Sequence, residues 1–131
     1  MDELGRLTAV FVGSGIGGVL RYLSGLWIAG MPAHSFPLAT LFVNVTGSAL
    51  IGVLFVVTGS GIGLKSHPMV SAALVTGLCG GFTTFSSFSL QTWQLIEKGQ
   101  SLSAMLNVVA SIVLCLSFTA LAIFISRNII R

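Results

Sequence analysis

Charge is scarce in this sequence. Asp, Glu, Lys and Arg make up 7% of its 131 residues, where a soluble domain carries about a quarter. With 54% hydrophobic residues, that scarcity excludes an ordinary water-soluble domain and points to a chain with little mass outside a bilayer. The net charge of +3 is small and its basic residues do not cluster, which argues against nucleic acid as a partner. Carboxylates are fewer still: Asp2, Glu3 and Glu97. None lies inside a long apolar segment, whereas a proton-coupled or cation exporter normally keeps an acid within the membrane. Cysteine occurs twice, as Cys79 and Cys115, both in apolar segments. Neither a disulfide framework nor a metal site of paired ligands is expected. The start of the chain is acidic rather than basic, and its apolar run is too long for a signal-peptide core. That run is expected to stay as a transmembrane helix.

Four apolar segments are present, at about residues 7–30, 38–58, 69–96 and 102–125, and roughly 20 residues suffice to cross a bilayer core. The connectors between them hold the Gly, Pro and Ser that end helices. The expectation is an all-α membrane protein, a single transmembrane domain of four helices over residues 1–131. An even number of crossings puts both termini on one side. That side would hold Arg6, Lys65, Arg127 and Arg131, against Lys98, with Arg21 a further candidate, on the other. The positive-inside rule then favours cytoplasmic termini only weakly, and so weak a bias permits insertion in both orientations. Small residues stand four apart at Gly13 and Gly17, Ser14 and Gly18, Ser48 and Gly52, and Gly77 and Gly81. Such pairs let helices approach closely in lipid. Four short helices have little interior in which to hide a polar pathway, so a homodimer is expected.

Residues 77–89, Gly-Leu-Cys-Gly-Gly-Phe-Thr-Thr-Phe-Ser-Ser-Phe-Ser, fall in the middle of the third segment. Three glycines within five residues, followed by β-branched Thr83 and Thr84, predict a broken or unwound helix there. A break in a bilayer persists only where protein or a polar cavity satisfies the freed backbone groups, which makes it a candidate ion site. Arg21 is costly in hydrocarbon, and either faces a cavity or reaches for the headgroups. Thr40, Asn44 and Ser48 share one face of the second segment. In the fourth, Ser103, Asn107, Ser111, Cys115 and Thr119 recur every four residues. Single hydroxyls often bond only their own backbone, but this stripe favours the lining of a pathway. Spacing alone makes Phe85 and Phe88 ordinary packing or lipid-facing aromatics. Their ring edges carry positive potential, however, and can receive an anion. Donors without acids, one arginine and aromatic edges suit an anion better than a cation.

Three strings carry a resemblance: Gly-Val-Leu-Arg-Tyr at 18–22, Val-Asn-Val-Thr-Gly at 43–47, and Gly-Gly-Phe-Thr-Thr-Phe-Ser-Ser-Phe-Ser at 80–89. In order and in segment they resemble the Fluc (CrcB) fluoride channels, over essentially the whole chain. The resemblance implies a multi-pass protein of the plasma (inner) membrane that exports fluoride passively, confers fluoride resistance and is not an enzyme. It implies an antiparallel, dual-topology homodimer with two pores along the subunit interface. A structural Na⁺ would be held at the dimer centre by the backbone carbonyls of Gly80 and Thr83. Phe85, Phe88 and Asn44 match pore residues, and Arg21 and Ser86 match vestibule groups. With the polar faces, the expected pore lining is Phe85, Phe88, Asn44, Ser111, Thr119, Asn107 and Thr40. The family's fourth-helix track often begins with tyrosine where Asn107 stands, and Cys115 replaces a hydroxyl. The rival expectation is a small four-helix multidrug exporter.

Overall fold

The computed structural model describes residues 3–30, 36–59 and 67–130. Parts of two connectors lie outside them, as do two residues of the charge comparison, Lys65 and Arg131. The first helix, α1, is Glu3–Ala29, and α2 is Leu38–Gly59. Helix α3 covers 68–82 in three parts: Pro68–Ser71, a wider π-helical stretch Ala72–Cys79, and Gly80–Phe82. Thr83 and Thr84 then have extended dihedrals. Helix α4, Phe85–Glu97, completes the third long apolar unit, and α5 is Ser101–Ile129. Among the described residues all regular structure is helical. Four helical units are long and apolar enough to cross a membrane, the third being the 30-residue Pro68–Glu97.

Capping residues explain the joints. Thr84 opens α4 by accepting the Ser87 N–H on its hydroxyl at 3.2 Å, as N-cap threonines do. At the other end Gly99, at φ +71, takes the left-handed turn that closes α4. The Gln100 N–H reaches the Leu95 carbonyl and the Gly99 N–H reaches that of Ile96, each at 2.9 Å. This double bond pattern satisfies carbonyls that a helix end otherwise leaves bare.

The helices pack mainly as two pairs, α1 on α3 and α2 on α5, with α4 lying against α5. Gly13 and Gly17 of α1 are buried against α3. A Cβ at Gly13 would run into the Ala73 carbonyl oxygen, and one at Gly17 would stand 2.7 Å from the Phe82 nitrogen. From the other side, a Cβ at Gly77 would lie 3.0 Å from the Gly13 Cα, and one at Gly81 would meet the Ser14 carbonyl. The glycine pairs at 13/17 and 77/81 therefore meet each other inside one chain. Gly52 does the same for the second pair, where a Cβ would lie 2.7 Å from the Thr119 carbonyl oxygen. These faces serve the fold of the single chain, and they are not free to pack against a second copy. Their glycines are also helical. Gly77 and Gly81 sustain close packing within α3, and the extended residues are the two threonines.

The interior is thin and mixed. Buried apolar residues such as Val43, Leu54 and Leu95 share it with Thr40, Thr84, Asn107, Ser111 and Ser126. The large apolar side chains lie mostly outside, Phe11, Trp27, Leu116 and Phe124 among them. That arrangement suits hydrocarbon as solvent, where association depends on close packing and hydrogen bonds rather than on burying apolar surface.

Candidate functional site: a cleft beside two extended threonines

Thr83 and Thr84 sit at the middle of Pro68–Glu97, and every polar group of their backbones has a partner. Thr83 N–H donates to the Cys79 carbonyl at 3.0 Å, closing the last turn of α3. The Thr83 carbonyl accepts from Arg21 Nη1 at 3.3 Å. Thr84 N–H donates to Asn44 Oδ1 at 2.8 Å, and the Thr84 carbonyl accepts from Asn44 Nδ2 at 3.1 Å. Asn44 thus acts as a detached peptide group, offering one donor and one acceptor to a residue 40 positions away. Arg21 takes a protein partner, its cation placed at the C-terminal, electronegative end of α3. Two helices supply what the third lacks. Nothing local in residues 77–89 announces either partner.

Beside these threonines lies an open cleft of about 740 Å³, walled by α2, α3, α4 and α5. Asn44, Gly47, Ser48 and Ile51 line it from α2; Val75, Thr76, Cys79 and Gly80 from α3; Phe85 and Phe88 from α4; and Ser111, Ile112, Cys115 and Leu116 from α5, with Thr83 and Thr84 at its end. Six of the expected pore and ion-site residues therefore converge here, Asn44, Gly80, Thr83, Phe85, Phe88 and Ser111, with Ser48 and Cys115 of the polar stripes. Phe85 and Phe88 have ring centroids 5.3 Å apart at 48°, a tilted contact that leaves ring edges free. Phe85 is 79% exposed.

Other expected site residues stand away from the cleft wall. Arg21 lies behind it, bonded to the Thr83 carbonyl. Ser86 is exposed, with its hydroxyl 3.2 Å from that of Thr84. Thr40 is buried one turn below Asn44. Asn107 is only 1% exposed and donates to the Thr92 hydroxyl at 2.8 Å, joining α5 to α4. Thr119 shares its hydroxyl hydrogen between the Ser48 and Cys115 carbonyls, at 3.0 and 2.9 Å, joining α5 to α2. The reason is rotational. Each step of four residues turns about 40° around a helix, so a five-member stripe wraps through roughly 160°. Ser111 and Cys115 face the cleft while the ends of the stripe turn to neighbouring helices.

Donors for an anion can be counted at this wall. A carboxamide nitrogen carries two hydrogens, and Asn44 commits one to Thr84. The second is not used in that bond, and the Ser111 hydroxyl lines the same cleft. The Thr83 hydroxyl is bound to the Cys79 carbonyl at 2.8 Å. Thr84 was not singled out as a site residue; its role as the hub joining Asn44, Ser86 and Ser87 is visible only in three dimensions.

Residues 8–123 match the family profile described as CrcB-like protein, Camphor Resistance (CrcB). The fluoride-specific ion channel FluC of Rhizobium meliloti (strain 1021) is 42% identical over 130 residues, covering 98% of each chain. That of Paramagnetospirillum magneticum (strain ATCC 700264 / AMB-1) is 49% identical over 107 residues, 82% of this chain and 84% of the relative. In Coxiella burnetii (strain Dugway 5J108-111) the protein of the same name is 39% identical over 120 residues, 92% and 96% of the two chains. Matched over most of its length by the profile and by each of these relatives, the chain belongs to the CrcB-like family.

Proposed function

We propose that this chain is a passive, fluoride-selective ion channel of the plasma (inner) membrane, which lets fluoride out of the cytoplasm and so confers resistance to it. One observation carries the reading: the cleft gathers Asn44, Phe85, Phe88 and Ser111, and among the described residues no carboxylate is on its wall. Fluoride is small and strongly hydrated, so a pore must replace water by close donors. The free Asn44 N–H, the Ser111 hydroxyl and the phenylalanine edges are of that kind. The exporter alternative lacks its central group, since Glu3 and Glu97 stand only at the ends of their helices.

The working unit in this reading is an antiparallel homodimer, and the third crossing is discontinuous at Thr83–Thr84 within the bilayer. The cleft is open on one side and Phe85 is largely exposed on it, so a second copy would close it into a pore. The backbone also suits a central Na⁺. Thr84 N–H, which a continuing α-helix would direct to the Gly80 carbonyl, goes to Asn44 instead. The Thr83 carbonyl keeps one lone pair beyond the bond to Arg21. Gly80 and Thr83 would hold the ion with the same oxygens of a second copy, hard ligands of the type alkali and alkaline-earth ions prefer. A cation bound there would soften the desolvation cost of a nearby anion.

Fluoride efflux from proteoliposomes tests the function. Efflux should exceed that of empty vesicles and need no proton gradient. Phe85→Ile and Phe88→Ile keep apolar bulk but remove the positive edge. An edge contact of about 1.5 kcal/mol corresponds to roughly tenfold in rate, so flux should fall at least that far in a dimer of normal size. Efflux equal to that of empty vesicles would sink the channel reading, and an isoleucine variant at full rate would remove the rings from the pore.

A further inference from the structure

A second polar cavity, of about 480 Å³, lies where the start of α1, the end of α2 and the start of α3 meet. Among the described residues its lining includes Arg6, Thr58 and Ser71 and holds no carboxylate. Glu3, one turn before Arg6, lines a different recess with Met69 and Ala73. The cavity and the cleft are neighbours on α3: Val75 and Thr76 border both. Arg6 and Thr76 are exposed. Polar groups Arg6, Ser71 and Thr76 thus line the cavity, and Thr76 is shared with the wall that carries Cys79 and Gly80.

We propose that this cavity is the mouth of the anion path and that Arg6 concentrates small anions there before they enter the cleft. The proposal rests on the fluoride-channel reading and assigns the mouth a position and a charge. A single cation at a water-filled opening raises the local anion concentration by a few-fold at low salt, and the effect fades as salt screens it. Arg6 acts through its field and need not touch the ion, so charge matters more than the shape of the side chain. If two copies insert antiparallel, one such mouth opens on each face of the membrane. Flux in both directions would then depend on the same residue.

The experiment reconstitutes the full chain and its Arg6→Gln and Arg6→Lys variants in vesicles and reads initial fluoride efflux with an electrode. Ionic strength is set by an impermeant salt at about 0.01 M and then at about 1 M, where the screening length falls from roughly 30 Å to 3 Å. Arg6→Gln should slow efflux about two- to five-fold at the lower salt, and the deficit should vanish at the higher. Arg6→Lys should match the wild type in both. Equal rates for Arg6→Gln and wild type at low salt would overturn the proposal. A deficit that persists at high salt, or that comes with a lower melting temperature in lipid, would assign Arg6 to a headgroup phosphate or to packing, and overturn it too. Wild-type efflux no faster than from empty vesicles would instead remove the channel reading itself, and the mouth with it.

Discussion

A carboxamide side chain is chemically a peptide bond on a stem, and Asn44 is used as one. It meets the Thr84 N–H and carbonyl in both directions at the N-cap of α4, where the N–H has no helical partner. Asn44→Leu keeps the volume and removes both bonds. Each buried group left unpaired costs about 1–3 kcal/mol, so unfolding in detergent should show a loss of roughly 2–4 kcal/mol. A variant as stable as the wild type would mean that water reaches Thr84 unaided. Arg21 is tied to the same place by a single bond to the Thr83 carbonyl. Its charge adds attraction for anions on the cleft side while neutralising the dipole end of α3.

Between α1 and α3 the contact is backbone against backbone, and glycine is what permits it. At Gly17 a Cβ would stand 2.7 Å from the Phe82 nitrogen and 3.0 Å from the Gly81 carbonyl carbon, atoms that cannot rotate away. At Gly15 it would meet nothing within 4 Å. Gly17→Ala should therefore destabilise by about 2 kcal/mol or more. Gly15→Ala should be neutral or stabilising by up to about 1 kcal/mol, the helix propensity of alanine over glycine. Melting temperatures of the pair decide it; equal shifts would refute the close contact. Spacing made these glycine pairs legible in the sequence as faces for a helix, but not which helix. The pairs 13/17 and 77/81 suggested contact between subunits, and they meet within one chain. Crossing number was equally plain, because length and hydropathy are local. The partners of Thr83 and Thr84 were not, since Arg21 and Asn44 lie 62 and 40 residues away. Periodicity brought Ser111 to notice, but the drift of a four-residue repeat around α5 hid where Asn107 and Thr119 would turn.

Taken whole, the subunit is a half-open vessel, its apolar exterior suited to lipid and its cleft unclosed at Phe85. The antiparallel dimer is tested from two directions. Single cysteines introduced near the termini should be labelled from both sides of the membrane, and labelling from one side alone would exclude dual topology. Exchange of sodium for a large organic cation during purification should loosen the dimer or slow its flux. A dimer indifferent to that exchange would leave the Gly80 and Thr83 carbonyls without an ion. The bonds that Asn44 and Arg21 make to the two threonines also bear on how the protein is made. Lipid offers nothing to the Thr83 carbonyl and the Thr84 N–H, which Arg21 and Asn44 meet, so the third crossing is incomplete on its own. Both its helpers precede it in the chain: Arg21 and Asn44 leave the ribosome first, on crossings one and two. The order of synthesis thus lets the part of the protein made first serve as a template on which the incomplete third crossing settles.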